Sequence, residues 1–439
     1  MERGDVSTKG REVIASARRY ASNLTASSPL DDMIRALLLI SLFRNGLLTD
    51  PPCEIDFDCA ECIPDDMPLV MSQRAANGSL SVSSGDEMTL SCGEGRLIAY
   101  PLLSALTVLC EAGRYRVRQD NSLRTLLELG CQASVFEDVL HAVEHCAAPL
   151  QGRAYQTVEP QGNARHVATV CFDEDRGSPI AAHMVSAPAD RLRLPPHSDR
   201  RAPLTLLGNF NHMFDSNTRH QAEKLFSSDA RLNRHLREIF KHERFTFADQ
   251  TLTGAKLLDG RYFDDQDWRV AEFVSNRVLA WGSVAKGNLA HVQRDVAELV
   301  RRARPRGTLD VYAGTHGVMS LRAGGGRRDV RLKPQRFPVP QYVWTVVHER
   351  SERKALALIV LNDPFIAVSE IRERVFCESA CGRVSWLHET RRYRNYEAPL
   401  YGLTFCCHVR NFTGRVHEMP EKIVRDVPEG DDGLLTFLI

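Results

Sequence analysis

Twelve cysteines, an even number, constrain this chain more than any other feature: Cys53, Cys59, Cys62, Cys92, Cys110, Cys131, Cys146, Cys171, Cys377, Cys381, Cys406 and Cys407. That usage points to a disulfide framework, and such frameworks form in oxidising compartments. Yet the opening MERGDVSTKGREVIASARRYASN has neither the short basic start nor the apolar centre of a secretory signal. An intracellular chain is therefore expected, oxidised outside the usual secretory route, for example inside a large assembly. The alternative is that most thiols stay reduced and fill core space. No apolar run reaches the roughly 18 residues that cross a bilayer; the nearest, residues 36–43, is bordered by Arg35 and Arg44. No membrane partner is expected.

At 439 residues the chain exceeds a usual single core, so two or three packed units are anticipated. With 43% hydrophobic and 26% charged residues its composition is that of a soluble globular protein. Basic and acidic residues balance at 56 each. A non-specific nucleic-acid binder normally carries a basic excess, because phosphate neutralisation supplies most of its affinity. Zero net charge instead leaves little repulsion between copies. The partner expected from composition is a second copy of the chain, as a homo-oligomer or lattice, with nucleic-acid binding left open.

Residues 28–46, SPLDDMIRALLLISLFRNG, read as a helix with Ser28 as N-cap, Pro29 in the first turn and Gly46 as terminator. Its apolar positions nearly encircle it, so it is a core helix or an arm that docks on another chain. From Cys53 the sequence changes to short alternating segments broken by turn residues, as in GSLSVSSGDEMTLSCGEG, which predicts a β-rich unit. Helical spacing in LRTLLELG and VFEDVLHAVEHC predicts one helix within residues 121–146. Residues 190–203 read as a linker, 220–241 and 285–304 as helices, and LDVYAGTHGVMSL, YVWTVVHE and ALALIVLN as strands. No internal repeat is found. The domains expected are a helical arm over 1–50, a β-rich cysteine-containing module over 51–150, and a third unit over 151–439.

Several of these segments, in this order, resemble the DNA/RNA non-specific endonuclease family, in particular its secreted arthropod branch. The similarity rests on TLDVYAGTHGVMSL, FPVPQYVWTVVHE and LIVLNDPFI, on the cysteine-bearing CESACGRVSWL and YGLTFCC, and upstream on GDEMTLSC and TVCFDEDRGSPIAAH. It spans roughly residues 53–420. The resemblance implies an α+β fold in which a ββα-metal domain follows the β-rich module, with the helical arm an addition ahead of both. It also implies a mechanism: a His in an Arg-Gly-His segment as general base, an Asn holding a divalent ion, and a nearby supporting Glu.

Carried onto this sequence, the Arg-Gly-His segment falls on ADQTL, so Asp249 stands for the Arg and Thr251 for the His. Threonine does not titrate near neutrality. Asn276 matches the first Asn of the metal-binding segment, the metal Asn falls on Ala285, and Gln293 stands where the supporting Glu belongs. A methyl group offers no oxygen to a hard cation. A slip of two or three residues would bring Ser283 or Asn288 to the ligand position instead. The expectation is a degenerate, non-catalytic relative with no cofactor and no bound metal. His242 and His291 read as surface or helix-face histidines, with a relocated general base as the alternative, and Asp264, Asp265 and Asp267 read as a solvated acidic loop.

Cys59 and Cys62 lack a second pair at zinc-site spacing, so a disulfide is preferred, with its partner elsewhere or in a neighbouring molecule. Residues 294–336 hold 11 basic residues against 4 acidic ones, a solvated face or a set of intermolecular ion pairs, and the glycines at 324–326 mark a hairpin turn. Together these readings lead to an inactive nuclease fold used as a self-assembling structural protein. By analogy with proteins that arthropod DNA viruses pack into occlusion bodies, a nudivirus polyhedrin-like lattice is its concrete form, with virions as a further partner and the host nucleus or occlusion body as its place. The alternatives are an active Mg-dependent endonuclease with relocated residues and a nucleic-acid-binding pseudoenzyme.

Overall fold

The computed structural model describes residues 50–56, 62–64, 66–71, 79–143, 146, 149–158, 164–186, 217, 220, 222, 224, 226, 228–240, 250–263, 267–303, 308–323, 325–392 and 395–437. The helix expected over 28–46, the linker over 190–203, Cys59, His242, Asp249, Asp264 and Asp265 lie outside the described residues. Contacts divide the chain into Met1–Asp50 and Pro51–Ile439, and the second unit carries everything that follows.

That unit begins with small antiparallel sheets. Strand β1 (Cys53–Asp56) pairs with β3 (Ser79–Val82), while β2 (Leu69–Val70), β4 (Glu87–Ser91), β5 (Ala105–Glu111), β6 (Arg114–Val117) and β7 (Leu123–Arg124) form a five-stranded sheet. The GSLSVSSGDEMTLSC stretch supplies β3 and β4, and alternate side chains such as Met88 and Leu90 are buried, as a one-sided sheet requires. Among the described residues of 121–146 the expected α-helix does not form. Residues Leu126–Leu129 make a single 3-10 turn, and Phe136–Leu140 is strand β8. Tertiary pairing overrides helical spacing here: β8 lies against β9 (Gln151–Val158), and its buried Asp138 accepts from Arg153 Nε at 2.7 Å.

An eight-stranded, wholly antiparallel sheet organises the rest. It runs in the order β21 (Thr404–Cys407), β20 (Lys354–Leu361), β19 (Pro340–Glu349), β14 (Leu309–Val318), β11 (Ser178–Ser186), β10 (Ala164–Asp173), β9, β8. The sheet thus starts at Phe136, ahead of the boundary expected at residue 150. Both faces are covered, which is why LDVYAGT, YVWTVV and ALALIV read as near-continuous apolar runs. Val311, Val343 and Leu356 belong to the core on one face, together with Leu289, Val292 and Val296 of a long helix. Trp344, Ile359 and Phe405 pack on the other face with Val409, Phe412 and Ile423 of the carboxyl-terminal segment. Gly314 is required where β14 passes Trp344, because a Cβ there would meet the indole at 2.2 Å. The fold is mixed, mainly sheet with a few helices, compatible with the α+β expectation.

Between β11 and β14 come helix α1 (Asp229–Ile239), the antiparallel pair β12 (Leu252–Lys256) and β13 (Arg277–Trp281), a short helix α2 (Gly282–Lys286) and the long helix α3 (Asn288–Ala303). Hairpins β15 (Ser320–Ala323) with β16 (Gly326–Asp329), and β17 (Arg331–Lys333) with β18 (Arg336–Pro338), follow β14. Gly325 precedes and Gly326 opens the second strand of the first hairpin, in keeping with the turn expected there.

Five disulfides have both partners among the described residues: Cys53–Cys110, Cys92–Cys131, Cys146–Cys171, Cys377–Cys407 and Cys381–Cys406. Cys62 is disulfide-bonded too, and no cysteine is free among the described residues. The reduced-thiol alternative is set aside. The first two bonds staple the small β-module, where a thin core gains most from cross-linking, about 2–4 kcal/mol each.

Candidate active site

Asparagines build the ground on which the site stands. Asn362, at the end of β20, accepts from Trp281 N at 3.0 Å and donates to Leu279 O at 3.1 Å and Pro340 O at 3.0 Å, which moors β13 to the large sheet. Asn233 of α1 accepts from Leu252 N at 2.7 Å and donates to Leu252 O at 2.9 Å, which sets α1 against β12. Asn276 accepts from Leu258 N at 2.9 Å and donates to Leu258 O and Ala271 O, both at 2.8 Å, closing the excursion between β12 and β13. Asn288 donates to Gly402 O at 2.7 Å and fixes the first residue of α3. All four are buried, and each donates its amide N–H to main-chain oxygen, where an unpaired group would cost about 1–3 kcal/mol.

At the meeting point of α1, β12, α2 and α3 lies a cavity of ≈ 510 Å³. Thr251 and Thr253 line it from the β12 side, Gly282, Ser283 and Lys286 from α2, and Asp229 from the first turn of α1. Gly287, Asn288 and His291 line it from the start of α3, and Tyr401 from a distant loop. The walls are held by short bonds. Gly282 N donates to Thr251 O at 2.6 Å, Ser283 Oγ donates to the buried Gln250 Oε1 at 2.7 Å, and Thr253 Oγ1 donates to the Asp229 carboxylate at 3.2 and 3.3 Å. Gly287 separates α2 from α3 because a Cβ there would meet Ser283 O at 2.4 Å and Tyr401 O at 2.8 Å.

The electrostatics suit an anion and a neutral base. The sixteen-residue helix α3 directs its amino-terminal dipole at the cavity, and the exposed Lys286 adds a cation. His291 is half-buried. Burial holds its pKa below the usual 6.5, the Arg294 cation lowers it further, and Glu389 and Asp295 oppose that fall only in part. Its imidazole is therefore neutral at pH 7 and able to accept a proton. Asp295 is committed elsewhere, accepting from Glu389 N and Thr390 N at 2.8 Å each.

The positions singled out from the sequence are only partly gathered here. Thr251 forms cavity wall, and so does Ser283, while Ala285 sits half-buried on α2 between the buried Val284 and the lining residue Lys286. Gln293 donates to Lys256 O at 2.8 Å and Asn276 is the structural clamp described above. Asp267 is no solvated loop residue: it is buried, accepting from Thr157 Oγ1 at 2.9 Å and from Arg165 Nη1 at 2.6 Å. Asp229, Thr253, Lys286 and Tyr401 were not anticipated. Asp229 reads in sequence as an ordinary first-turn acid behind the Ser228 cap, and Tyr401 lies in a segment noticed for its cysteines. Among the described residues no group of three or more His, Cys, Asp or Glu is arranged to hold a metal ion.

A second titratable cluster lies on the opposite side of the sheet from α3. Asp310 of β14 is buried and accepts from His183 Nε2 at 2.8 Å and from Arg350, with His348 Nδ1 at 3.6 Å. Tyr312 stacks on the His183 ring at 4.1 Å. Burial alone would raise the Asp310 pKa, but the His183, His348 and Arg350 partners reverse this and hold it far below the carboxylate range.

No family model matches the chain. A salivary endonuclease of Lutzomyia longipalpis is 22% identical over 394 residues, covering 86% of this chain and 88% of that protein. A solved structure titled as the EndoG/EndoGI complex and the mechanism of EndoG inhibition matches 46% of this chain and 74% of its own at 10% identity. Its TM-score of 0.29 is too low to bear on the fold. The full-length similarity to an endonuclease corrects the expectation of a non-enzyme. Two exchanged side chains, at 251 and 285, do not empty the site, because the same cavity presents an imidazole, a carboxylate and a helix amino terminus. The occlusion-body lattice, read from neutral charge, cysteine content, the apolar arm and opposite-sign segments as well as from lost chemistry, finds no support in these similarities.

Proposed function

We propose that this protein is a phosphodiester-cleaving endonuclease in which His291 serves as the general base. The observation that carries this reading is His291 lining the same cavity as Thr251, the position where the resemblance puts the family's histidine. The succession β12, β13, α3 supports a ββα arrangement of the site. In this reading a nucleic-acid phosphate sits over the start of α3, drawn by the helix dipole and by Lys286. His291 takes a proton from water as the water oxygen bonds to phosphorus. The P–O bond to the leaving oxygen breaks, and that oxygen takes up a proton from solvent. Tyr401, 40% exposed, offers a face on which a base can stack.

A divalent ion fits the oxygen donors of the cavity, because magnesium commonly takes one or two carboxylates and completes its shell with water and substrate phosphate. Asp229 is the carboxylate that would hold it, and bound there it would neutralise charge on the phosphate. The disulfides support maturation in an oxidising compartment. The test is incubation of the full chain with supercoiled plasmid and with single-stranded RNA, with magnesium and with EDTA. Magnesium-dependent nicking or degradation that EDTA stops is expected, and a homogeneous, disulfide-intact protein that cleaves neither substrate overturns the reading.

A further inference from the structure

Helix α1 faces two cavities. Its first residue, Asp229, lines the one just described, while Arg231, Arg234, His235 and Glu238 line a second, of ≈ 610 Å³, together with His220, Lys224 and Lys333. Among the described lining residues Lys224, Arg231, Arg234 and Lys333 are cationic and Glu238 is the carboxylate, which already lies 3.4 Å from His235 Nδ1. Such a concentration is at odds with a chain whose overall charge is zero, so the basic residues are gathered rather than merely abundant.

The walls of this cavity are firmly placed. Leu232 and Leu236 bury the opposite side of α1, Asn233 clamps it to β12, and His235 Nε2 bonds the Leu332 carbonyl of β17. At the far end Arg328 of β16 lies over the Phe240 ring at 5.1 Å and donates to Ile239 O at 3.3 Å. The basic stretch at 294–336 is thereby joined, through its hairpins, to the basic side of α1. A solvated face would scatter these charges; here Lys333 and Arg234 border one hollow.

Resting on the endonuclease reading, we infer that this second cavity is a backbone-phosphate site for the strand being cut. Arg234 lies five residues beyond Asp229, about 7.5 Å along the helix, and a stacked strand rises about 3.4 Å per nucleotide. That axial spacing between Asp229 and Arg234 corresponds to about two nucleotides of a stacked strand, so one strand can reach both cavities. The ligand is recognised by charge and spacing, without reading base edges, so the site adds affinity and length preference without sequence preference.

The experiment uses the full chain and a fluorescent DNA single strand of about 20 nucleotides, bound in EDTA across about 50 to 200 mM salt. In Arg234→Gln/Lys333→Gln the slope of log K against log salt is expected to become shallower by about 0.7, for the one phosphate no longer neutralised. Arg234→Lys, which keeps the charge, is expected to retain the wild-type slope. With magnesium, the double variant should lose at least about ten-fold more kcat/KM on the strand than on bis(p-nitrophenyl) phosphate. An unchanged slope, or equal losses on the two substrates, overturns the site. A wild type that cleaves neither substrate yet shows the slope change sinks the endonuclease reading and leaves the phosphate site standing.

Discussion

His291 and the His183–Asp310–His348 cluster place the same residue type in two different settings. His291 stands at an open cavity, and burial with Arg294 keeps it uncharged. The imidazoles of the cluster converge, with Arg350, on one buried carboxylate that anchors β11, β14 and β19 to each other. What differs is where the proton can go. An imidazole beside a solvent-filled hollow can exchange its proton with a substrate, whereas one spent on a buried carboxylate stabilises the sheet. A histidine in a sequence carries neither meaning until its neighbours are known.

This contrast breaks if the two regions respond alike to mutation. The largest effect is expected at His291→Ala, a fall in kcat of about 10²- to 10⁴-fold, with urea unfolding showing a loss of no more than about 1 kcal/mol. An equal loss of stability and activity would return His291 to a structural role. The reverse pattern is expected at Asp310→Asn. Arg350 is 54% exposed and screened by solvent, so the cost lies near the low end for a broken buried pair, about 3 kcal/mol by urea titration, with cleavage by the surviving folded fraction little altered.

Acid sharpens the comparison. Because the folded pKa of Asp310 is depressed, its contribution is complete above the unfolded carboxylate value of about 3.9 and is lost as the pH falls through the folded value. Thermal unfolding followed from neutrality downward should show this acid loss in the wild type and a blunted one in Asp310→Asn. The folded pKa of His291 is depressed as well, so a base at this position gives a rate that is flat above pH 6.5 and falls in acid with its midpoint below 6.5. A midpoint above 6.5 in a pH–kcat profile would point to another base. The smallest effect is expected at Glu298→Ala on α3. Its pairs with Arg301 and Arg302 are open to water, so the change should stay within about 0.5 kcal/mol by the same titration. A larger cost would show that pairing, rather than burial, gives the Asp310 cluster its strength.

Much of the frame was legible in the residues themselves. The apolar runs from Leu309 to Leu361 could only be strands covered on both sides, and they are. Twelve cysteines called for cross-links, and those with both partners described form them. Reading fell short where local pattern and distant partners disagree. VFEDVLHAVEHC has the spacing of a helix, but Phe136–Leu140 gains its partner strand and the Arg153–Asp138 pair only by becoming extended. Aligned positions misled in a similar way: Thr251 and Ala285 mark exchanged side chains, yet they say nothing of what the opposite wall of the cavity supplies.

The amino-acid order by itself determined that LDVYAGT, YVWTVV and ALALIV are strands, that cross-links are required, and that Thr251 cannot serve as a base, because these follow from side-chain volume, thiol chemistry and intrinsic acidity. Tertiary structure alone decided that Asp229, His291 and Tyr401 share one cavity and that the cations of α1 and Lys333 share another. Those side chains come from segments tens to well over a hundred residues apart, and no short-range periodicity records such a distance. It is set by asparagine clamps and core packing, whose energies exist only once the whole sheet has closed around them.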